Sequence, residues 1–199
     1  VHGLFVAVHC ALLNASTMLW MGKFKPQQAL DWFAQATVFM GVPTLYVRLL
    51  QEAALTPERC AHMRLFISGS APLLIDTFRE WQERTGHTIL ERYGMSETVM
   101  LTSNPYHEAD GPRRSFTGVL PLPCVELSCM NQAQQPCAVG EVGDRVAERT
   151  ALRADRHAAV HAAAGLVLRL GGGRLGFHLV PVAQALVDRP AMGQGAIVL

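Results

Sequence analysis

Residues 87–98 read HTILERYGMSET, from His87 to Thr98. A short apolar run, Thr88, Ile89 and Leu90, is followed at once by the polar, glycine-containing segment Glu91 to Thr98. An apolar run of that length closed by such a segment reads as a buried strand opening into a loop at its carboxyl end. In open α/β sheets, ligands collect at the carboxyl ends of strands. Tyr93 offers a flat face for stacking, Gly94 lets backbone come close to a ligand, and Glu97 offers oxygen to a hard cation such as Mg²⁺. A surface turn with a solvated Glu91–Arg92 pair and a half-buried tyrosine fits the same letters.

The segments before it supply the rest of a sheet. Gly3 to Leu13 is apolar throughout and reads as a buried helix or a strand–helix piece. Thr17 to Met21 reads as a short strand. Pro26 suits the first position of a helix reaching Ala36, with Leu30 and Phe33 on one face. The β-branched and aromatic run Thr37 to Val42 predicts a strand. Thr44 is expected to cap a helix over Leu45 to Ala54, with Leu45, Leu49 and Ala53 aligned. Thr56-Pro57-Glu58 starts a short helical turn. Met63 to Ser68 is the next strand. A helix over Leu73 to Thr85 carries Leu74, Phe78 and Trp81 as its apolar stripe and Glu80–Arg84 as an i,i+4 pair, and Gly86 stops it.

Alternating strands and helices with short connections predict a parallel sheet flanked by helices. Two strand-end loops, Ser68 to Pro72 and Glu91 to Thr98, then point the same way and suit a shared cleft. From Ser103 to Ser115 the chain is a polar, proline-containing loop, and Phe116 to Met130 reads as strands broken by prolines. A boundary is expected near residues 105–115, giving an α/β unit over 1–110 and a β-rich piece over 111–143. Residues 144–199 are rich in Ala, Arg, Gly, Val and Leu, with a helix expected over Ala147 to Leu170.

The totals exclude several function classes. Hydrophobic residues make up 50% and charged residues 17%, which permits a sizeable core and argues against disorder. A formal net charge of +1 gives no electrostatic case for nucleic acid. Val1 to Leu13 is too short to span a bilayer and has no basic start, so neither a membrane span nor a signal peptide is expected. The five cysteines, Cys10, Cys60, Cys124, Cys129 and Cys137, contain no C-x-x-C. They read as small buried hydrophobes in a reducing, cytoplasmic setting.

Gly69, Ser70, Ala71 and Pro72 form a loop between a strand and a helix, where backbone N–H groups can meet an anion or a purine edge. An ordinary helix start reads the same way. It is not a hydrolase nucleophile elbow, since Ser68 and Pro72 stand where glycines are needed. Gly171, Gly173 and Gly176 satisfy G-x-G-x-x-G without room for a βαβ unit. His157 and His161 lack the glutamate and third ligand of a zinc protease.

ERYGMSET (91–98) resembles the adenine- and magnesium-binding signature of the adenylate-forming enzymes, the acyl-CoA synthetase family, and is most similar to its malonyl-CoA synthetases. GVPTLY, MRLFISGSAPL, REWQERTGH, TSNPY, GVLPLP and GEVG extend the resemblance from His2 to about Gly143. It implies part of the family's N-terminal α/β domain, with a non-family tail over 144–199. It implies ATP, Mg²⁺ and coenzyme A as cofactors and co-substrates, and a small carboxylic acid, malonate or methylmalonate, as partner. A carboxylate attacks the α-phosphate of ATP, and the thiol of coenzyme A then displaces AMP. By resemblance, Gly69 to Pro72 line the adenine pocket, Gly94 and Met95 lie near the acyl and pantetheine path, and Glu91, Tyr93 and Ser96 bind cofactor with them. Tyr93 stacks on adenine, and Glu97 is the catalytic and metal-binding residue. His2 borders the acid pocket. Arg92 is expected to hold the free carboxylate of a diacid through its guanidinium, assisted by Arg48.

The family's phosphate loop, its T-G-D aspartate and its C-terminal lysine are not among these residues, and no lysine follows Lys25. The chain therefore reads as a fragment, inactive alone. A non-catalytic nucleotide-binding or interaction remnant is the alternative. The abrupt change near Gly143 suggests a reading-frame shift between Glu141 and Arg149. If neither of the other two frames of the coding DNA restores a family-like continuation, that idea fails.

Overall fold

A computed structural model describes residues 2–96, 99–115, 120–123, 125–131, 133, 135–138, 144–149 and 195–198. A π-helix over His2–Val8 runs into α1 (His9–Leu13) and is followed by β1 (Thr17–Trp20), α2 (Pro26–Trp32) and β2 (Ala36–Gly41). Then come α3 (Pro43–Leu50), α4 (Pro57–Cys60), β3 (Leu65–Ser68), α5 (Ile75–Thr85) and β4 (Leu90–Met95). β5 (Val99–Ser103), β6 (Leu120–Pro121), β7 (Val125–Met130), β8 (Asp144–Arg149) and β9 (Gly195–Val198) complete the described elements.

β2, β3 and β4 lie side by side and parallel, with Val38 opposite Leu65, Ile67 opposite Leu90, and Ser68 opposite Glu91. Every residue of β2 and β3 is buried, as expected for parallel strands covered on both faces. β5 returns antiparallel along β4, and β6 pairs with β5. At the other side β9 sits between β1 and β2, parallel to both. The sheet order is β1-β9-β2-β3-β4-β5-β6, and β7 and β8 pair separately. This is the α/β sheet flanked by helices that the sequence predicts.

Two cores follow from the period-two alternation of the strands. On one face, Phe33, Phe39, Tyr46, Phe66 and Trp81 interlock edge to face with ring centroids 4.9 to 5.6 Å apart. Helices α2, α3 and α5 cover this side through Leu30, Leu49 and Phe78. On the other face, Val6 and Ala7 of the first helix pack on Val38, Met40, Leu65, Ile67 and Leu90.

Several expected boundaries move, each for a local reason. Of the two readings of the opening segment, the helical one holds, from His2. α2 ends at Trp32 because fully buried Phe33 turns inward as its C-cap. Pro43 takes the first helical position of α3, so Val42, not Thr44, is the N-cap, and Ala53 lies beyond the helix. Thr56 does cap α4, its hydroxyl accepting from the Arg59 N–H at 3.4 Å. Leu74 is the N-cap of α5 and 70% exposed, so the buried stripe is Thr77, Phe78, Trp81 and Thr85. Arg84 donates to the carbonyls of Leu50, Glu52 and Leu55 instead of pairing with Glu80, satisfying acceptors at and beyond the end of α3. Gly86 ends α5 in the left-handed conformation, φ 76°.

The largest difference lies at the stretch that decides the fold. β4 begins at Leu90 and runs to Met95, so Glu91 to Met95 are strand rather than loop. The reason is β5, which pairs with the edge of β4 that β3 leaves open. Within the Ala/Arg/Gly-rich stretch, Ala147 to Arg149 are extended in β8, which overturns a helix starting there. The rest of that expected helix, the glycine motif, His157 and His161 lie outside the described residues.

Candidate active site

Alternation along β4 sends its side chains to different cores. Leu90, Arg92 and Gly94 share the face covered by the first helix, and Glu91 shares the aromatic face with Ile89. Glu91 has no exposed surface, and its Oε1 accepts the Leu73 N–H at 3.0 Å. That bond ties the tip of β4 to the loop leaving β3. Gly69 is buried there, while Ser70, Ala71 and Pro72 are exposed. Ser70 holds a left-handed φ of 68°. Such a backbone costs a non-glycine residue about 1–2 kcal/mol and clusters at functional sites.

Tyr93 lies past the last paired residue of β3 and is half-buried opposite Thr102 of β5. Ser68 and Thr102 sit on the same side as Glu91, and both hydroxyls are buried without a hydrogen-bond partner. Gly94 marks the closest approach of β4 to β5. A Cβ there would lie 1.8 Å from the Val99 carbonyl oxygen, so no other residue fits this hairpin. Met95 and Ser96 end the strand exposed. Glu97 lies outside the described residues.

Arg92 is the electrostatic exception. Its Nε is buried and has no hydrogen-bond partner. Burial pulls the guanidinium below the usual arginine range, while nearby Cys10 and Tyr106 pull the other way. Cys10, Met100 and Tyr106 pack on the cluster that contains Leu90, two residues before Arg92. Tyr106 is itself held by Arg64, which donates to its hydroxyl. Opposite Arg92 across the hairpin stands Ser103.

Not every expected site residue joins this group. Arg48 is on α3, on the aromatic side of the sheet; it donates to the Phe24 carbonyl at 3.3 Å and lies over the Phe24 ring. It does not meet Arg92. Tyr46 of the GVPTLY segment is buried, its hydroxyl bonded to the Ile67 carbonyl at 2.7 Å, so it braces β3. His2 begins the first helix, whose Val6 and Ala7 pack on the cluster that contains Leu90. Cys60 is buried as expected, but Cys129 is exposed. Sequence reading placed Ser68 in the cleft but missed Thr102 and Cys10, because a small polar residue carries no periodic signal and pairing across a sheet is not visible in spacing.

Comparison with known proteins decides the family. The description "AMP-binding enzyme" matches residues 1–148. The chain belongs to the AMP-binding enzyme family. A probable CoA ligase of Humulus lupulus is 35% identical over 164 residues, 72% of this chain and 26% of that protein. The mitochondrial malonate–CoA ligase of Mus musculus is 37% identical over 154 residues, 68% of this chain and 25% of that protein. Among solved structures, ATP-bound MatB from Rhodopseudomonas palustris superimposes with a TM-score of 0.70 at 49% identity, covering 74% of this chain and 29% of that one. A malonyl-CoA ligase complex with methylmalonyl-CoA and AMP gives 0.58 at 26% identity, covering 78% and 40%. The chain thus spans about a quarter of the length of the curated relatives it matches. Among the described residues, no helix is long and apolar enough to cross a membrane.

Proposed function

We propose that this chain forms part of an ATP-dependent acid–CoA ligase acting on a small diacid, malonate or methylmalonate. One observation carries the choice of acid: the Arg92 guanidinium is desolvated and its Nε has no partner within the protein. A guanidinium of which one buried N–H goes unpartnered is costly, and an incoming carboxylate would offset that cost through charge-assisted hydrogen bonds. A diacid keeps one carboxylate free while the other is activated, so Arg92 fixes the free end. The relatives named for malonate support this assignment.

On the other side of β4, Tyr93 stacks on adenine beside Ser70 to Pro72, and the hydroxyls of Ser68 and Thr102 are polar groups still open to a nucleotide edge or a water. Glu91 positions that loop through Leu73 rather than touching nucleotide. Glu97 is assigned to Mg²⁺, which needs one or two carboxylates and completes its shell with phosphate and water. Coenzyme A is the acceptor of the acyl group. We expect no CoA thioester from these 199 residues alone, which contain only Lys23 and Lys25 as lysines.

Calorimetric titration tests the proposal. ATP with Mg²⁺ binds, and Tyr93→Ala and Glu97→Ala weaken it at least tenfold. Malonate binds in a manner lost in Arg92→Gln, and acetate does not replace it. Equal binding of acetate and malonate overturns the diacid assignment.

A further inference from the structure

A hollow of about 410 Å³ lies at the other end of the strands from Ser70 and Tyr93. Arg64 directly precedes β3 and Thr88 shortly precedes β4, whereas Ser68 and Glu91 pair at the far ends. From Arg64 to Ser68 the chain advances about 13 Å, at roughly 3.3 Å per strand residue. The hollow is lined by Arg64, His87, Thr88, Tyr106, His107 and Arg113, and none of its described lining residues is an aspartate or glutamate. Tyr106 is the hub. Arg113 fixes one permanent charge in the wall: its Nε donates to the Pro105 carbonyl at 3.2 Å, Nη1 to that of Thr88 at 3.0 Å and Nη2 to that of Tyr106 at 2.7 Å. Arg64 brings a second, donating to the Tyr106 hydroxyl with its guanidinium 5.8 Å from the ring centroid. Among the described residues no other acceptor meets Arg64, which is exposed to the hollow. His107 is exposed and packs edge to face on the Tyr106 ring, with centroids 4.6 Å apart. His87 is anchored from behind, its Nε2 3.0 Å from the Cys60 carbonyl.

We propose that this hollow is a second ligand site, separate from the cleft at the strand tips, for molecules that carry a diphosphate group. The chain as a whole is nearly neutral, at +1, so two guanidinium groups and two imidazoles in one concave space are a local concentration of positive charge. Planar guanidinium donors match phosphate oxygens, and two fixed cations suit a ligand with at least two negative charges. The volume falls within the range of small-molecule sites, about 300–1,000 Å³, and exceeds what one phosphate fills. The backbone clamp made by Arg113 joins the 105–106 loop to the lead-in of β4, so the site is formed before its ligand arrives. Free pyrophosphate, a nucleoside diphosphate and coenzyme A share this chemistry.

The exposed His62, outside the hollow, is an internal control on the same chain. The 199-residue protein is treated with diethyl pyrocarbonate in magnesium-free buffer, and modification of each histidine is followed by peptide mass spectrometry. Pyrophosphate is expected to slow modification of His107 in a saturable way and to leave His62 unchanged, and added sodium chloride weakens the protection. The half-protecting concentration rises about tenfold in Arg64→Gln, the loss of one charge-assisted contact, and less in Arg64→Lys. ADP and coenzyme A are run as parallel arms: protection at lower concentration than pyrophosphate assigns the site to a nucleotide-borne diphosphate, and protection by pyrophosphate alone assigns it to the free anion. Equal rates at His107 with and without all three ligands overturn the proposal, as does equal protection of His62, and these readings need no variant to fold. Orthophosphate protecting as well as pyrophosphate overturns the diphosphate assignment. Protection that Arg64→Gln leaves intact, or that disappears in Tyr93→Ala, places the anion elsewhere and overturns the site, without bearing on ATP binding at the strand tips.

Discussion

On one face of β4, Glu91 has no exposed surface and its carboxylate accepts the Leu73 N–H. On the other face, one residue later, Arg92 is half-buried, and its buried Nε has no partner. The first face looks onto five interlocked aromatic rings, and the second onto a smaller aliphatic cluster under the first helix. Adjacent charged residues thus serve different ends. The buried carboxylate ties the tip of β4 to the loop leaving β3, and the half-buried cation leaves one donor unpaired. Such an unmet donor is what a ligand site looks like before its ligand arrives.

The strongest way to break this contrast is at Gly94, whose closeness to Val99 seals the hairpin beside Arg92. Gly94→Ala would force the strands apart and is expected to lower stability by about 3 kcal/mol, measured by urea unfolding. A loss below about 0.5 kcal/mol would mean the hairpin is open, and Arg92 with it. Next comes the carboxylate. Glu91→Ala strands the buried Leu73 N–H and is expected to cost about 2 kcal/mol, whereas Glu91→Gln keeps an acceptor oxygen and costs less. Equal losses in the two variants would show that the Glu91 side chain matters for packing rather than for holding the loop.

Arg92 should respond with the opposite sign. Replacing an uncompensated buried charge by an apolar chain of similar length is often neutral or stabilising. Arg92→Met is therefore expected to raise stability by about 1 kcal/mol while removing the rise in melting temperature that malonate gives the wild-type chain. A variant that is both less stable and still protected by malonate would put the anion site elsewhere.

How far such contrasts can be seen in sequence depends on their range. The parallel core was legible because β2, β3 and the Ile89–Leu90 lead-in to β4 are short apolar runs separated by helices with clear stops such as Gly86. The neighbouring tips at Ser68 and Glu91 follow from that pattern and are found in register. What was not legible depends on long-range pairing. Glu91 to Met95 carry too many polar groups to announce a strand, and only β5 makes them one. Arg48 is expected to assist Arg92, but α3 lies across the sheet. β9 joins β1 and β2 from the far end of the chain, a pairing no local period encodes.

The finest test uses the two thiols as reporters of the two faces. Cys60 belongs to the aromatic-side cluster, and burial alone pushes its thiol up to about 12, from 9.0 when unperturbed. Cys10 is also raised, but Arg92 opposes the shift. A thiol whose folded value is raised favours the folded state fully below its unfolded value, and that contribution is lost as pH climbs. The folded chain holds the proton longer, so above about pH 9 the unfolded state binds fewer protons and stability falls toward pH 12, by at most about 1.4 kcal/mol per pH unit. Cys60→Ala should flatten the decline measured by urea unfolding between pH 8.5 and about 10, whereas Cys10→Ala should flatten it less, because Arg92 offsets part of the rise that burial causes. If Cys10→Ala flattens the slope as much as Cys60→Ala, Arg92 does not act on that thiol, and the electrostatic difference between the two faces of β4 is smaller than the buried guanidinium implies.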